Sequence, residues 1–304
     1  MFKKLNDLFL SFSKYKSIWF LTIFLMIVGD LLDSAKAETN LLIQTVKQVE
    51  SRLDARVGLA IYDLESNNIW GYNAYERFPM TSTFKVLACG ALLARNDASS
   101  GDSYRTVTLV ESDFVSYSPV TENWLGQKVT LNDLCDATMR TSDNTAANKI
   151  VKELGGPSAV TIFMRSIGDG VTRLDRWEPD LNMATPGDER DTTTPAAMVS
   201  SLHKLLVGDA LLQSSKEQLL RWLQANEVGD SLLRASVPSE WHIGDRTGAG
   251  GFGSRGIVAI AYPPEREPFI VAIYITETEA SMEQRNEAIA EIGAALVEQW
   301  KSGK

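Results

Sequence analysis

The sequence predicts an α/β (α+β) fold of two subdomains, in which a sheet assembled from both ends of the chain encloses an all-α block. Three observations carry this expectation. Near the N-terminal side, Val57–Asp63 and Ile69–Tyr72 are short apolar runs separated by turn chemistry at Asn67-Asn68, the pattern of a hairpin. From Asn96 to Asn226 the apolar spacing is mostly helical, with loops. After Trp241 the pattern returns to strands, at His242–Thr247, Gly256–Tyr262 and Phe269–Thr276. The sheet subdomain then covers about 38–80 and 227–304, and the all-α subdomain about 81–226, with a cleft between them as the natural place for a site.

The elements follow in order. Leu42, Val46, Val49 and Leu53 lie at helical spacing within Thr39–Leu53. After the hairpin, Thr81 or Ser82 opens a long apolar helix reaching about Arg95. Thr130-Leu131-Asn132-Asp133 is a capping-box variant that starts a helix to about Met139. The next helix runs from Asn144 to Leu154, stops at Gly155-Gly156, and Pro157 starts another. Residues 172–193 are polar, interrupted by proline and without a period; a loop of that length usually has a functional reason. Its Glu178–Pro179 bond can be cis at low cost. Thr194-Pro195 caps and opens a helix to about Leu206, and Ser215–Ala225 is amphipathic. Ser281-Met282-Glu283-Gln284 is a capping box for a C-terminal helix to about Trp300.

Composition excludes several function classes. The 304 residues are 44% hydrophobic and 23% charged, ordinary for a globular protein. A formal charge of −9 with no basic stripe gives no support for nucleic-acid binding. The two histidines, His203 and His242, form no ligand motif, so a zinc hydrolase lacks its ligands and no metal or cofactor is implied. Lys3, Lys4, Lys14 and Lys16 precede an apolar run from Ile18 to Val28, and Ala35-Lys36-Ala37 is a small-x-small cleavage site. The run is short of the roughly 20 residues a membrane span needs. Residues 1–37 are therefore expected to be a signal peptide, removed on export to the periplasm, with no stable membrane association afterwards. They hold five lysines and three aspartates, a net +2, so the remainder carries −11. In an oxidising compartment the isolated pair Cys89 and Cys135 tends to bond; two buried free thiols are the alternative.

Three short motifs carry chemistry: Ser82-Thr83-Phe84-Lys85, Ser142-Asp143-Asn144 and Arg246-Thr247-Gly248. A Ser and a Lys three apart arise about once by chance in such a chain, so only the ordered trio is informative. A serine hydroxyl is a weak nucleophile until a base takes its proton. Ser82 at a helix start with Lys85 at i+3 puts both on one face. There the free amides favour a developing oxyanion. A lysine buried in an apolar helix has a lowered pKa and can shuttle protons. The bland readings are a capping serine at 82, a helix cap at Ser142-Asp143-Asn144 and an edge-strand charge at Arg255.

With these motifs, the chain resembles the serine β-lactamases and penicillin-binding proteins. Arg176-Trp177-Glu178-Pro179-Asp180-Leu181-Asn182 resembles the glutamate-bearing loop of class A β-lactamases, and Arg246 with Thr247 to Gly256 resembles their carbenicillin-hydrolysing subgroup. The similarity runs from about Leu41 to the C-terminus. It implies a five-stranded antiparallel sheet flanked by helices beside the all-α subdomain, and a monomer acting on small-molecule β-lactams. It assigns Ser82 as nucleophile, with its own amide and that of Ala249 as oxyanion hole. Lys85 and Ser142 would move protons, and Glu178 with Asn182 would hold the deacylating water. Asn144 would bind the substrate's amide side chain, and Arg246, Thr247, Gly248 and Arg255 its carboxylate. Tyr117 would wall the cleft, and Arg176 with Asp191 would close the neck of the loop. A penicillin-binding D,D-peptidase and a β-lactam-sensing domain share the first three motifs and remain the alternatives.

Overall fold

The structure is a computed structural model that describes residues 41–99 and 105–302. The expected signal peptide lies outside them. Helix α1 covers 41–53. Strands β1 (Arg56–Asp63) and β2 (Asn68–Tyr72) form the first hairpin, and β3 is the short Phe78–Pro79. The helical block follows with α2 (Phe84–Ser99), α3 (Leu131–Thr141), α4 (Asn144–Leu154), α5 (Pro157–Ser166), α6 (Pro195–Leu206) and α7 (Gln213–Gln224). Two small ribbons within this stretch, β4 (Thr106–Thr108) with β5 (Lys128–Thr130) and β3 with β6 (Thr192–Thr193), were not expected. The chain then completes the sheet with β7 (His242–Ala249), β8 (Arg255–Tyr262) and β9 (Phe269–Thr276), and ends in α8 (Met282–Ser302).

The five-stranded sheet has the order β2-β1-β9-β8-β7, antiparallel throughout. Alternation explains how its central strand can be apolar along its whole length. Val271, Ile273 and Ile275 point into one core with Leu42, Val46, Ile289, Ile292 and Leu296 of α1 and α8. Ile270, Ala272 and Tyr274 point into the other, beneath Val86, Leu134, Ile150 and Leu202 of the helical block. The sheet is thus a partition, and β7, at its edge, borders the region between sheet and helices.

Local signals set most helix boundaries. Thr130 accepts from the Asp133 amide at 3.0 Å, Thr194 from the Ala197 amide at 3.1 Å, and Ser281 from the Gln284 amide at 3.2 Å. Gly155, left-handed at φ 111°, ends α4 and Pro157 opens α5. One expectation needs correction: the α-helix expected to open at Thr81 or Ser82 begins at Phe84, and Ser82 precedes it. It sits in a single 3₁₀ turn, Thr81–Thr83, which feeds α2. Cys89 of α2 and Cys135 of α3 form a disulfide, with Cα atoms 5.8 Å apart.

Candidate active site

The nucleophile's turn is held against the sheet edge. Thr81 is buried at φ 44°, a conformation non-glycine residues adopt only under constraint. Its hydroxyl and that of Thr83 both donate to the Met80 carbonyl at 2.7 Å. Gly248 of β7 permits the contact: a Cβ there would lie 2.1 Å from Thr81 Oγ1 and 3.0 Å from the Ser82 amide nitrogen. Ser82 is thereby fixed beside the end of β7, the strand that carries Ala249.

Lys85, one turn on, is fully buried. Its Nζ donates to the Ser142 carbonyl at 2.8 Å, to Ser142 Oγ at 3.1 Å and to Asn144 Oδ1 at 2.6 Å, and pairs with Glu178 Oε1 at 3.1 Å. Burial pushes its ammonium down to about 8; the Glu178 carboxylate opposes the shift and the Arg246 charge adds to it. Ser142 reaches Lys85 because it is the left-handed C-cap of α3, at φ 68°, directly before the cap of α4. That cap is Asp143, as the sequence suggested: its buried carboxylate accepts from the Ala146, Val120 and Thr121 amides and from the Thr121 hydroxyl at 2.8–3.0 Å.

Glu178 enters from the long loop. The ion pair Arg176–Asp191 closes the loop's neck, Nε to Oδ2 at 2.6 Å. The Glu178–Pro179 bond is cis. Asn148 of α4 clamps the turn, receiving the Glu178 amide and donating to the Glu178 carbonyl, each at 2.9 Å. Asn182 donates to Glu178 Oε2, and Ser82 Oγ donates to Oε1 at 3.4 Å. The carboxylate is 2% exposed and faces hydroxyl, ammonium and amide at once. The loop also touches the β7–β8 turn: the Gly251 amide donates to the Asn182 carbonyl at 2.8 Å, and a Cβ on Gly250 would lie 2.6 Å from that carbonyl.

A cleft of about 420 Å³ opens onto this cluster. Ser82, Ser142, Asn144 and Asn182 line it on the helical and loop side, Thr247, Gly248, Ala249 and Arg255 on the strand side, and Tyr117 at the rim. Lys85, Glu178 and Arg246 stand behind that lining. Two expectations change as a result. Arg246 is fully buried and does not present a fork to the cleft. Its Nη1 donates to Asn226 Oδ1 at 3.3 Å, Nε and Nη2 have no hydrogen-bond partner among the described residues, and burial pushes its pKa down to about 10. It stands as a charge behind the wall of the cleft. Asn144 is already engaged, its Oδ1 by Lys85 and its Nδ2 by the Ser116 carbonyl at 3.0 Å. It braces Lys85 as well as lining the cleft.

Arg255 does reach the cleft, its Nε on Asn286 Oδ1 at 2.8 Å and its Nη1 on the Gly248 carbonyl at 3.1 Å. Burial, and then the charge of Arg285, push it down to about 10. Asn226 is held by the buried Asp245, which also takes Arg234. Asn148, Asn226, Val228 and Met282 are site residues that sequence reasoning missed. For Asn148 alone there was a signal, its position one turn after Asn144 on the same helix.

A strained turn presenting a hydroxyl, a buried ammonium and carboxylate within reach of it, and a second hydroxyl on the ammonium define a serine hydrolase with an internal proton relay. Residues 41–300 match the model of the Beta-lactamase enzyme family, and the chain belongs to that family, as a class A serine β-lactamase. It is 50% identical over 260 residues to Beta-lactamase AER-1 of Aeromonas hydrophila, covering 85% of this chain and 86% of that one. To Beta-lactamase PSE-4 of Pseudomonas aeruginosa it is 45% identical over 283 residues, 93% and 98% of the two chains. Among solved structures, an ancestral (GNCA) class A β-lactamase superposes with TM-score 0.83 at 49% identity, over 84% of this chain and 99% of that one. The chromosome-encoded β-lactamase of Vibrio parahaemolyticus does so with TM-score 0.83 at 44% identity, over 86% and 99%.

Proposed function

We propose that the protein destroys penicillins, carbenicillin included, by opening the β-lactam amide through an acyl-enzyme on Ser82, and so confers resistance. The observation that carries this reading is Glu178 Oε1, 3.4 Å from Ser82 Oγ and 3.1 Å from Lys85 Nζ. A D,D-peptidase or a sensor needs a nucleophile and a relay; only a fast hydrolase needs a third group poised to deliver water to the ester.

The steps follow from the geometry. Ser82 Oγ attacks the lactam carbonyl as its proton passes to the Lys85–Glu178 pair. The carbonyl oxygen becomes an oxyanion facing the Ser82 and Ala249 amides. The C–N bond breaks as Ser142 gives its proton to the leaving nitrogen and takes one back from Lys85 along their hydrogen bond, which leaves Glu178 ionised again. Glu178, held by Asn182 and Asn148, then takes a proton from the water that attacks the ester and returns it to Ser82 Oγ as the ester C–O bond breaks. Arg255 and Thr247 receive the ring carboxylate. The Arg246 charge, screened little because it is buried, strengthens the field there.

After loss of residues 1–37 the protein works as a periplasmic monomer. Intact mass of the exported protein, expected to begin at Glu38, checks the cleavage, and light scattering checks the monomer. Purified protein mixed with a chromogenic cephalosporin tests the activity: many turnovers per enzyme are expected, and a single burst equal to the enzyme concentration would assign it to the peptidases or sensors.

A further inference from the structure

The carboxylate end of the cleft is finished by a side chain outside all the motifs. Met282 is the first residue of α8, 45% exposed, and it lines the cleft. Asn286, four residues on and so on the same face of α8, holds Arg255 through the 2.8 Å bond to its Nε. The amide nitrogen Nδ2 of Asn286 donates to Ser231 Oγ at 3.1 Å, tying α8 to the 226–232 segment that contributes Val228 to the cleft. The Val228 carbonyl in turn accepts from Thr247 Oγ1 at 3.5 Å. The first turn of α8 and Val228 thus enclose the place where Arg255 and Thr247 receive the ring carboxylate.

We propose that Met282, with Val228, is a specificity-determining apolar wall that reads the substituent next to the carboxylate on the substrate's fused ring. The proposal rests on the reading of the cleft as a β-lactam site. With the acyl carbon at Ser82 and the carboxylate at Arg255, whatever projects beyond the carboxylate meets α8. Penicillins carry only two methyl groups on that side of the ring. Cephalosporins carry a group on ring carbon 3, beside the carboxylate, which can be as small as a methyl or as large as a styryl. A thioether is suited to such a variable contact: it is unbranched, polarizable, and packs favourably on aromatic rings. At the start of a helix and half exposed, Met282 has room to adjust. It is a contact in substrate binding and takes no part in proton transfer.

The test compares nitrocefin, which bears a dinitrostyryl group at carbon 3, with benzylpenicillin in the parent, Met282→Ala and Met282→Leu. Loss of the wall should raise the ratio of KM for nitrocefin to KM for benzylpenicillin about five- to tenfold in Met282→Ala, within the range a few methylenes discriminate. The kcat ratio should move less than KM. Met282→Leu, which restores apolar volume, should return the ratio to within about twofold of the parent. A cephalosporin with a methyl at carbon 3 should follow benzylpenicillin. An unchanged KM ratio in Met282→Ala would overturn the proposal, as would an equal rise for nitrocefin and the methyl compound. If the parent does not turn over benzylpenicillin and Glu178→Gln accumulates no adduct on Ser82 by intact mass, the β-lactamase reading itself fails, an outcome distinct from the loss of this contact, which leaves benzylpenicillin turnover in place.

Discussion

Replacing Glu178 by Gln keeps the shape of the loop and removes one buried negative charge. Two consequences can be worked from the structure. Deacylation loses its base: Asn182 and Asn148 still place the side chain, but an amide accepts no proton. A positioned general base is worth about 10²- to 10⁴-fold, or about 3–5.5 kcal/mol of barrier. Acylation suffers less, because a second acceptor exists. The Glu178 carboxylate is what holds Lys85 up against burial, so without it the ammonium falls below about 8 and the neutral amine becomes available beside Ser142. The imbalance should trap the ester. Intact-mass spectrometry of Glu178→Gln mixed with benzylpenicillin should show nearly full conversion to an adduct one substrate mass heavier, with steady-state kcat down by about 10²-fold or more. Ser82→Ala should give no adduct. Turnover in Glu178→Gln within tenfold of the parent would refute the reasoning, and so would a variant that forms no adduct while remaining folded.

Lys85 also sets a pH expectation: with Glu178 present to accept the Ser82 proton, the Lys85 ammonium is needed to pass one on through Ser142, so as pH rises through about 8 and that proton is lost, kcat/KM should fall on the alkaline side with a midpoint near there; a profile flat to pH 9.5 would contradict it. Cys89→Ala with Cys135→Ala should fold and retain activity but melt earlier, since a bond spanning 46 residues stabilises by at most about 4 kcal/mol in the chain-entropy model. That corresponds to up to about 10 °C, read by calorimetry. Arg246→Lys trades a guanidinium bonded to Asn226 for a shorter ammonium, and losing one charged hydrogen bond costs about 1.5–3 kcal/mol. That bond is internal, so its loss should appear first as a lower Tm by calorimetry; the ratio of kcat/KM on carbenicillin to that on benzylpenicillin should also fall, and an unchanged ratio would make Arg246 a general support of the site.

What the sequence revealed depended on the range of the interactions. The caps at Thr130, Thr194 and Ser281 bond to amides three residues away, so residue type and spacing sufficed. Ser82 and Lys85 were legible because one helical turn brings them together. Asn148 bonds Glu178 across 30 residues, with only its place one turn after Asn144 to hint at it, and Asn226 bonds Asp245 across 19, with no local pattern to mark it. The ribbons β3–β6 and β4–β5 are too short for periodicity to show. The motif around Arg246 was visible, but not its depth. Whether a guanidinium faces solvent or stands behind a wall is decided here by Asn226, which arrives from elsewhere in the chain and is held by Asp245.

The contact of Gly250 and Gly251 with Asn182 joins two jobs that an enzyme under changing antibiotic pressure would gain by separating. The turn after β7 continues directly from Ala249, which lines the cleft; the Asn182 it touches also lines the cleft and steadies Glu178. A side chain at 250 or 251 that reshaped the opening would press on the Asn182 or Met183 carbonyl and shift the loop that carries the base. Admission of larger drugs by that route is tied to slower release of the acyl group. Variants that take it should therefore protect poorly in proportion to what they newly admit, until a second change elsewhere in the 176–191 loop lets the glutamate return to its place.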